Sequence, residues 1–141
     1  TEFGKTSLPV IGLMNEWKQN LKTFKLDKKN LGGSMRLDAY ESILKKNSKI
    51  FNIYNKKKII ERHRHRYEVN INYKLLLEEN GVLLSGISPD GNLAEVMEIK
   101  NHPWFIGVQF HPELKSTPFN PHPIFNSFTQ ASLKLKKNDK R

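Results

Sequence analysis

Apolar residues fall in short runs separated by polar or glycine- and proline-marked breaks. Pro9 to Met14 (PVIGLM) follows turn residues and predicts a strand. Trp17 to Lys29 is polar and lysine-rich, which predicts a loop with some extended structure. Gly32 and Gly33 mark a turn. Met35 to Ile43 then opens on MRLDAY, whose apolar–polar alternation predicts a second strand. Ile50 to Tyr54 is a short apolar patch, and Ile59 and Ile60 lead into the run RHRHRY.

Downstream the period changes. Asn72 to Asn80 (NYKLLLEEN) predicts a helix with Asn72 as its cap and Gly81 at its stop. Val82 to Ser88 and Leu93 to Ile99 flank Pro89-Asp90-Gly91-Asn92 and predict a hairpin. Proline fixes φ in that turn, and glycine accepts a positive φ. Trp104 to Phe110 (WFIGVQF) is almost wholly apolar and predicts a central strand. Pro123 to Leu135 predicts a last amphipathic helix with proline in its first turn. Residues 136–141 read as a basic, disordered tail beyond a domain spanning 1–135. Strands mixed with helices predict one α/β unit. The helices are too few to complete a doubly wound sheet, so the front of the domain is expected to lie outside this sequence. The lack of an initiator methionine fits that expectation.

Composition narrows the chemistry. The 141 residues allow one modest domain. The formal charge of +10 points to anionic partners, although much of the surplus is scattered lysine, and nucleic acid is not the expected partner. Cysteine is absent, which excludes a disulfide framework, a CxxC metal site and a thiol nucleophile from these residues. The N-terminal residues do not form a secretory signal, and no run of about 18 apolar residues occurs. The expected setting is the cytoplasm, with no membrane partner.

Two stretches carry candidate chemistry. In QFHPE, Gln109 to Glu113, an apolar strand ends and His111 follows at once. The carboxyl ends of strands are where catalytic groups collect in α/β sheets. Glu113 stands two residues on, across the stiff Pro112. A carboxylate on one ring nitrogen fixes the tautomer and leaves the other nitrogen as a base. Ser116 and Thr117 are too near in sequence for an easy triad, so the pair reads as two-thirds of a triad whose nucleophile lies elsewhere. In RHRHRY, an extended backbone puts Arg62, Arg64 and Arg66 on one face and His63, His65 and Tyr67 on the other. A metal site on His63 and His65 is disfavoured by the neighbouring arginines, and no metal is expected. An RNA-binding arm, a solvated basic segment and an arginine site for a small carboxylate remain open, the last being favoured. A free amino acid also needs an anion for its ammonium group, and Glu2 is a candidate.

Taken together, TEF (Thr1–Phe3), LGGSMRL (Leu31–Leu37), ERHRHRYEVN (Glu61–Asn70), SPDG (Ser88–Gly91), NHPWF (Asn101–Phe105), QFHPE and HPIF (His122–Phe125) resemble the C-terminal portion of the glutamine amidotransferase domain of the CTP synthase family. The likeness covers nearly the whole chain and is weakest in Trp17–Asn30, Glu41–Lys58 and the tail. It implies a three-layer, flavodoxin-like class I amidotransferase domain, of which only the C-terminal portion is present. It also implies glutamine hydrolysis by a Cys–His–Glu triad, with ammonia passed through a tunnel to a separate synthase domain. There UTP is phosphorylated by ATP and aminated to CTP. ATP, magnesium and the activator GTP are thus implied for the full-length enzyme, and no cofactor for this chain. His111 would be the base, Glu113 its orienting carboxylate, and Glu2 and Arg66 the groups holding glutamine. Lys25 and Lys28 would belong to a lid linked to GTP. The partners implied are the missing part of the amidotransferase domain and the synthase domain, with a homotetrameric full-length enzyme. Another class I amidotransferase or a γ-glutamyl hydrolase shares the His–Glu pair and stays as an alternative. Ser34 replaces the family's usual threonine, and Asp38 stands where glycine is frequent. The family's cysteine and glycine-rich oxyanion segment have no counterpart here. The expectation is therefore a chain inactive by itself that exposes apolar surface.

Overall fold

The computed structural model describes residues 6–13 and 35–138. Within them, β1 (Ile11–Leu13) pairs with β4 (Tyr67–Val69) in a two-stranded sheet. A five-stranded sheet runs in the order β3 (Lys58–His65), β2 (Arg36–Leu44), β5 (Val82–Ile87), β6 (Ala94–Ile99), β7 (Ile106–Val108). Every described ladder is antiparallel. Helices α1 (Lys49–Tyr54), α2 (Lys74–Glu79) and α3 (Pro123–Asn138) complete the frame. Leu44, Ile50, Ile59, Val96, Phe110 and Ile124 form the main core, and Val69, Leu84 and Ala94 a second one.

The β5–β6 hairpin forms where the PDGN turn predicts it. Gly91 takes φ +76° and Ser88 N donates to Leu93 O at 3.0 Å. Helix α1 replaces the undefined apolar patch at Ile50–Tyr54. Its cap is Ser48, whose side chain accepts from Phe51 N, and Asn55 closes it in the left-handed region at φ 50°. The first-turn N–H groups of Lys49 and Ile50 both donate to the buried Glu98 carboxylate at 2.9 Å. These are orphan donors of a helix start, satisfied by a residue about fifty positions away. The cap before α2 is Asn70 rather than Asn72; it opens a 3₁₀ turn over Ile71–Tyr73. Helix α3 runs through Asn138, so Lys136 and Lys137 sit in its last turn rather than in a tail. Cations there complement the negative end of the helix dipole.

Two strands depart from their predicted roles. The β7 strand is short and half-buried, and it ends the described sheet instead of lying at its centre. Trp104 leaves the strand to pack on α3, its indole N–H donating to Ser127 Oγ at 2.8 Å and its ring edge-on to Phe128. In β2 the alternation is inverted: Arg36 is buried and Leu37 is 61% exposed. The reason is electrostatic, because Arg36 reaches the buried carboxylates of Glu68 and Glu95.

Asp38 has φ 143°, a conformation that favours glycine. It stands opposite His63 in the β2–β3 ladder, and its carboxylate accepts from Ala39 N at 2.8 Å. This is the position where the resemblance gives glycine. Such backbone costs on the order of 1–3 kcal/mol for a residue with a Cβ. Asp38→Gly is therefore expected to stabilise the fold by about 1 kcal/mol, after the loss of the local hydrogen bond and of backbone rigidity in the unfolded chain. A rise in denaturation midpoint checks this.

Candidate active site

His111 follows β7 where the chain leaves the sheet and starts a 3₁₀ turn over Pro112–Lys115. Its backbone N donates to Arg62 O at 2.8 Å, so the residue is fastened to the outer edge of β3. Lys115 Nζ takes the next outward carbonyl, Ile60 O, at 2.8 Å, and lies 3.0 Å from Glu61 Oε2. Within this short turn His111 Nδ1 meets Glu113 Oε1 at 2.7 Å. The carboxylate is an acceptor, so Nδ1 carries the hydrogen and Nε2 is left with its lone pair. The hydrogen bond from His111 holds Glu113 below the usual carboxylate range; burial opposes this weakly, and the charge of Arg64 adds to it. The His111 side chain is 35% exposed, open enough to receive a reactant.

The turn rests on a buried cluster. Glu61 Oε1 accepts from Tyr54 OH at 2.9 Å and lies 3.3 Å from His122 Nε2. Burial alone would raise Glu61, but hydrogen bonds from His122, Lys115 and Tyr54 bring it below its ordinary value. Sequence reading missed this residue, although Glu61 alternates with exposed Ile60 and Arg62 on the buried face of β3.

RHRHRY behaves as the alternation predicts through His65. Arg62 and Arg64 face outward, while His63 is fully buried. Arg66 lies at a half-buried bend between β3 and β4, beyond the strand proper. His63 and His65 serve as packed support, with ring centroids 5.2 Å apart and His63 edge-on to Phe110. His63 Nε2 contacts Glu95 Oε2 at 2.8 Å, and Arg36 contacts Glu95 at 2.8 Å and Glu68 at 3.3 Å. Among the described residues, no group of three metal-ligating side chains could hold an ion. Glu2, Lys25 and Lys28 lie outside the described residues. A groove of about 550 Å³ between α1 and α3, lined by Lys49, Asn52, Trp104 and Ser127, does not include His111 or Glu113.

His65 has a distinct environment. Burial pushes it down to about 4, with the positive charges of His63 and Arg36 acting in the same sense. Its Nδ1–H donates to Tyr67 O at 3.0 Å. The unfolded chain takes up a proton here near pH 6.5, and the folded chain does so only near pH 4. Folding stability should therefore be unaffected by this group above pH 6.5 and fall between pH 6.5 and 4, by on the order of 2–3 kcal/mol. His65→Asn keeps a donor for Tyr67 O and should flatten that part of the pH profile in denaturant titrations.

Residues 2–131 match the family described as glutamine amidotransferase class-I. The chain belongs to the class-I glutamine amidotransferases. It is 58% identical over 132 residues to the CTP synthase of Pelagibacter ubique, covering 94% of this chain and 24% of that protein. It is also 58% identical over 134 residues to the CTP synthase of Agrobacterium fabrum, covering 94% and 25%. The chain thus spans about a quarter of the length of these curated relatives. Among solved structures it resembles the glutaminase domain of Trypanosoma brucei CTPS, solved with bound acivicin. The TM-score is 0.74 at 31% identity, over 91% of this chain and 47% of that one. The family match includes both His111 and Glu113, while the 141 residues contain no cysteine.

Proposed function

We propose that this chain supplies the base and its orienting carboxylate to the glutaminase site of a cytoplasmic CTP synthase. One observation carries the reading: the 2.7 Å contact between His111 Nδ1 and Glu113, on a turn fastened to β3. A thiol from outside these residues gives its proton to His111 Nε2 and attacks the amide carbon of glutamine. The resulting imidazolium, paired with the ionised Glu113, returns the proton to the leaving nitrogen, which departs as ammonia. Water activated by the same imidazole then cleaves the thioester to glutamate and restores the thiol. Arg66 and Glu2 hold the α-carboxylate and α-ammonium of glutamine. Similarity to CTP synthases over 94% of the chain supports UTP as the acceptor of the ammonia. In this reading the whole enzyme is a homotetramer in which ATP, magnesium and GTP act. Lys25 and Lys28 belong to its GTP-linked lid.

Glutamate release by the complete protein, coupled to CTP formation from UTP and ATP, tests the proposal. Glutamate release without CTP would move the assignment to another class-I amidotransferase or a γ-glutamyl hydrolase. No glutamate release from a folded, complete protein would remove it.

A further inference from the structure

Beneath the outward arginines of β3 lies a buried set of charged side chains. Arg36 Nη1 donates to Glu68 Oε1 at 3.3 Å and Nη2 to Glu95 Oε1 at 2.8 Å. His63 Nε2 meets Glu95 Oε2 at 2.8 Å, and His63 Nδ1 meets Glu61 O at 3.0 Å. A carbonyl oxygen only accepts, so Nδ1 carries a hydrogen. Burial would raise Glu95, yet hydrogen bonds from His63 and Arg36 and their charges bring it down. On its other side the ring faces the Glu95 carboxylate, so His63 is held between two acceptors. Arg36, His63, Glu68 and Glu95 thus share a space where none of the four side chains is more than 6% exposed.

Gln109 joins this cluster to the candidate site. Its Nε2 donates to Glu68 Oε2 at 3.1 Å, and its backbone N donates to Glu95 O at 3.0 Å. Two residues after Gln109 comes His111, and two residues before Glu68 comes Arg66. The neutral amide at position 109 bridges the segments without adding a buried charge. A second fastening, His111 N to Arg62 O, ties the same segment to β3. We infer that Gln109, acting through the buried Glu68, is a positioning residue that fixes the spacing between the imidazole of His111 and the glutamine-holding bend at Arg66. The inference rests on the glutaminase reading above. Displacement of a reacting group by about 1 Å can cost on the order of 10²-fold in rate.

The test uses the complete protein and glutamine. Gln109→Met keeps side-chain length and removes the donor. Its kcat/KM for glutamine should fall by about 10- to 100-fold. Its thermal midpoint, and its rate of CTP formation from free ammonia, should stay near those of the unaltered protein. Gln109→Glu sets a carboxylate against Glu68, and a shared proton can restore the bridge. Its activity relative to the unaltered protein should therefore rise as the pH is lowered from about 8 to 6. Full glutamine-dependent kcat/KM in Gln109→Met overturns the inference. So does a loss matched by equal losses of ammonia-dependent rate and thermal midpoint, which would mark a merely structural role. If the unaltered protein releases no glutamate, the glutaminase reading fails and takes this inference with it. If it releases glutamate and Gln109→Met is unchanged, only the inference fails.

Discussion

Replacing His111 by alanine in the complete protein is expected to abolish glutamine-dependent product formation, by on the order of 10³- to 10⁶-fold. Synthesis from free ammonia should persist. With Nδ1 committed to Glu113 at 2.7 Å, the imidazole presents Nε2 as a base whose ordinary range lies near neutral pH. Its removal leaves the fold almost untouched, since the ring is partly exposed and the fastening to Arg62 O comes from the backbone. Steady-state rates with glutamine and with ammonium, measured side by side, check the result. Loss of both activities together would contradict the role assigned to His111. Glu113→Gln should be milder. An amide oxygen can still accept from Nδ1, but the negative charge that stabilises the imidazolium is gone.

The largest effect on stability is expected at Glu95. Its side chain is wholly inaccessible and accepts from both Arg36 and His63. Glu95→Leu fits the volume but leaves one guanidinium nitrogen of Arg36 and one ring nitrogen of His63 buried without this acceptor. Breaking a buried pair by removing one partner typically costs about 3–5 kcal/mol. Chemical denaturation of the two forms at neutral pH measures the difference, and a change below about 1 kcal/mol would show that the charges find other partners. The acid side should show the same interaction. Glu95 is held below its ordinary value, so its contribution is complete above the unfolded carboxylate range near 4.5 and is lost as pH falls through the lower folded value. This loss comes at lower pH than that expected from His65.

Local features were legible in the sequence. The PDGN turn, the Asn72–Asn80 helical stretch and the alternation in β3 are set by residues adjacent in the chain. The His111–Glu113 pair was legible for the same reason, as a two-residue spacing across a proline predicts contact without knowledge of the rest of the fold. Features that depend on distant partners were not. Arg36 occupies a buried position because its acceptors stand 32 and 59 residues away, so the apolar–polar rule assigned its strand the wrong face. Helix α1 was missed because half of its start is completed by Glu98. Its local signal, Ser48 three residues before Phe51, was present but short. Glu61, Glu68 and Glu95 look like ordinary surface acids in a basic chain, and only the folded structure shows that each is buried.

Strand β3 has β2 on one side only among the described residues. Its opposite carbonyls at Ile60 and Arg62 are taken by Lys115 Nζ and His111 N. The turn that presents the imidazole therefore also acts as a guard against strand addition by a neighbouring molecule. A mutation that frees this turn would expose a ready template for β-aggregation, so insolubility and catalytic failure should arise together from the same lesion.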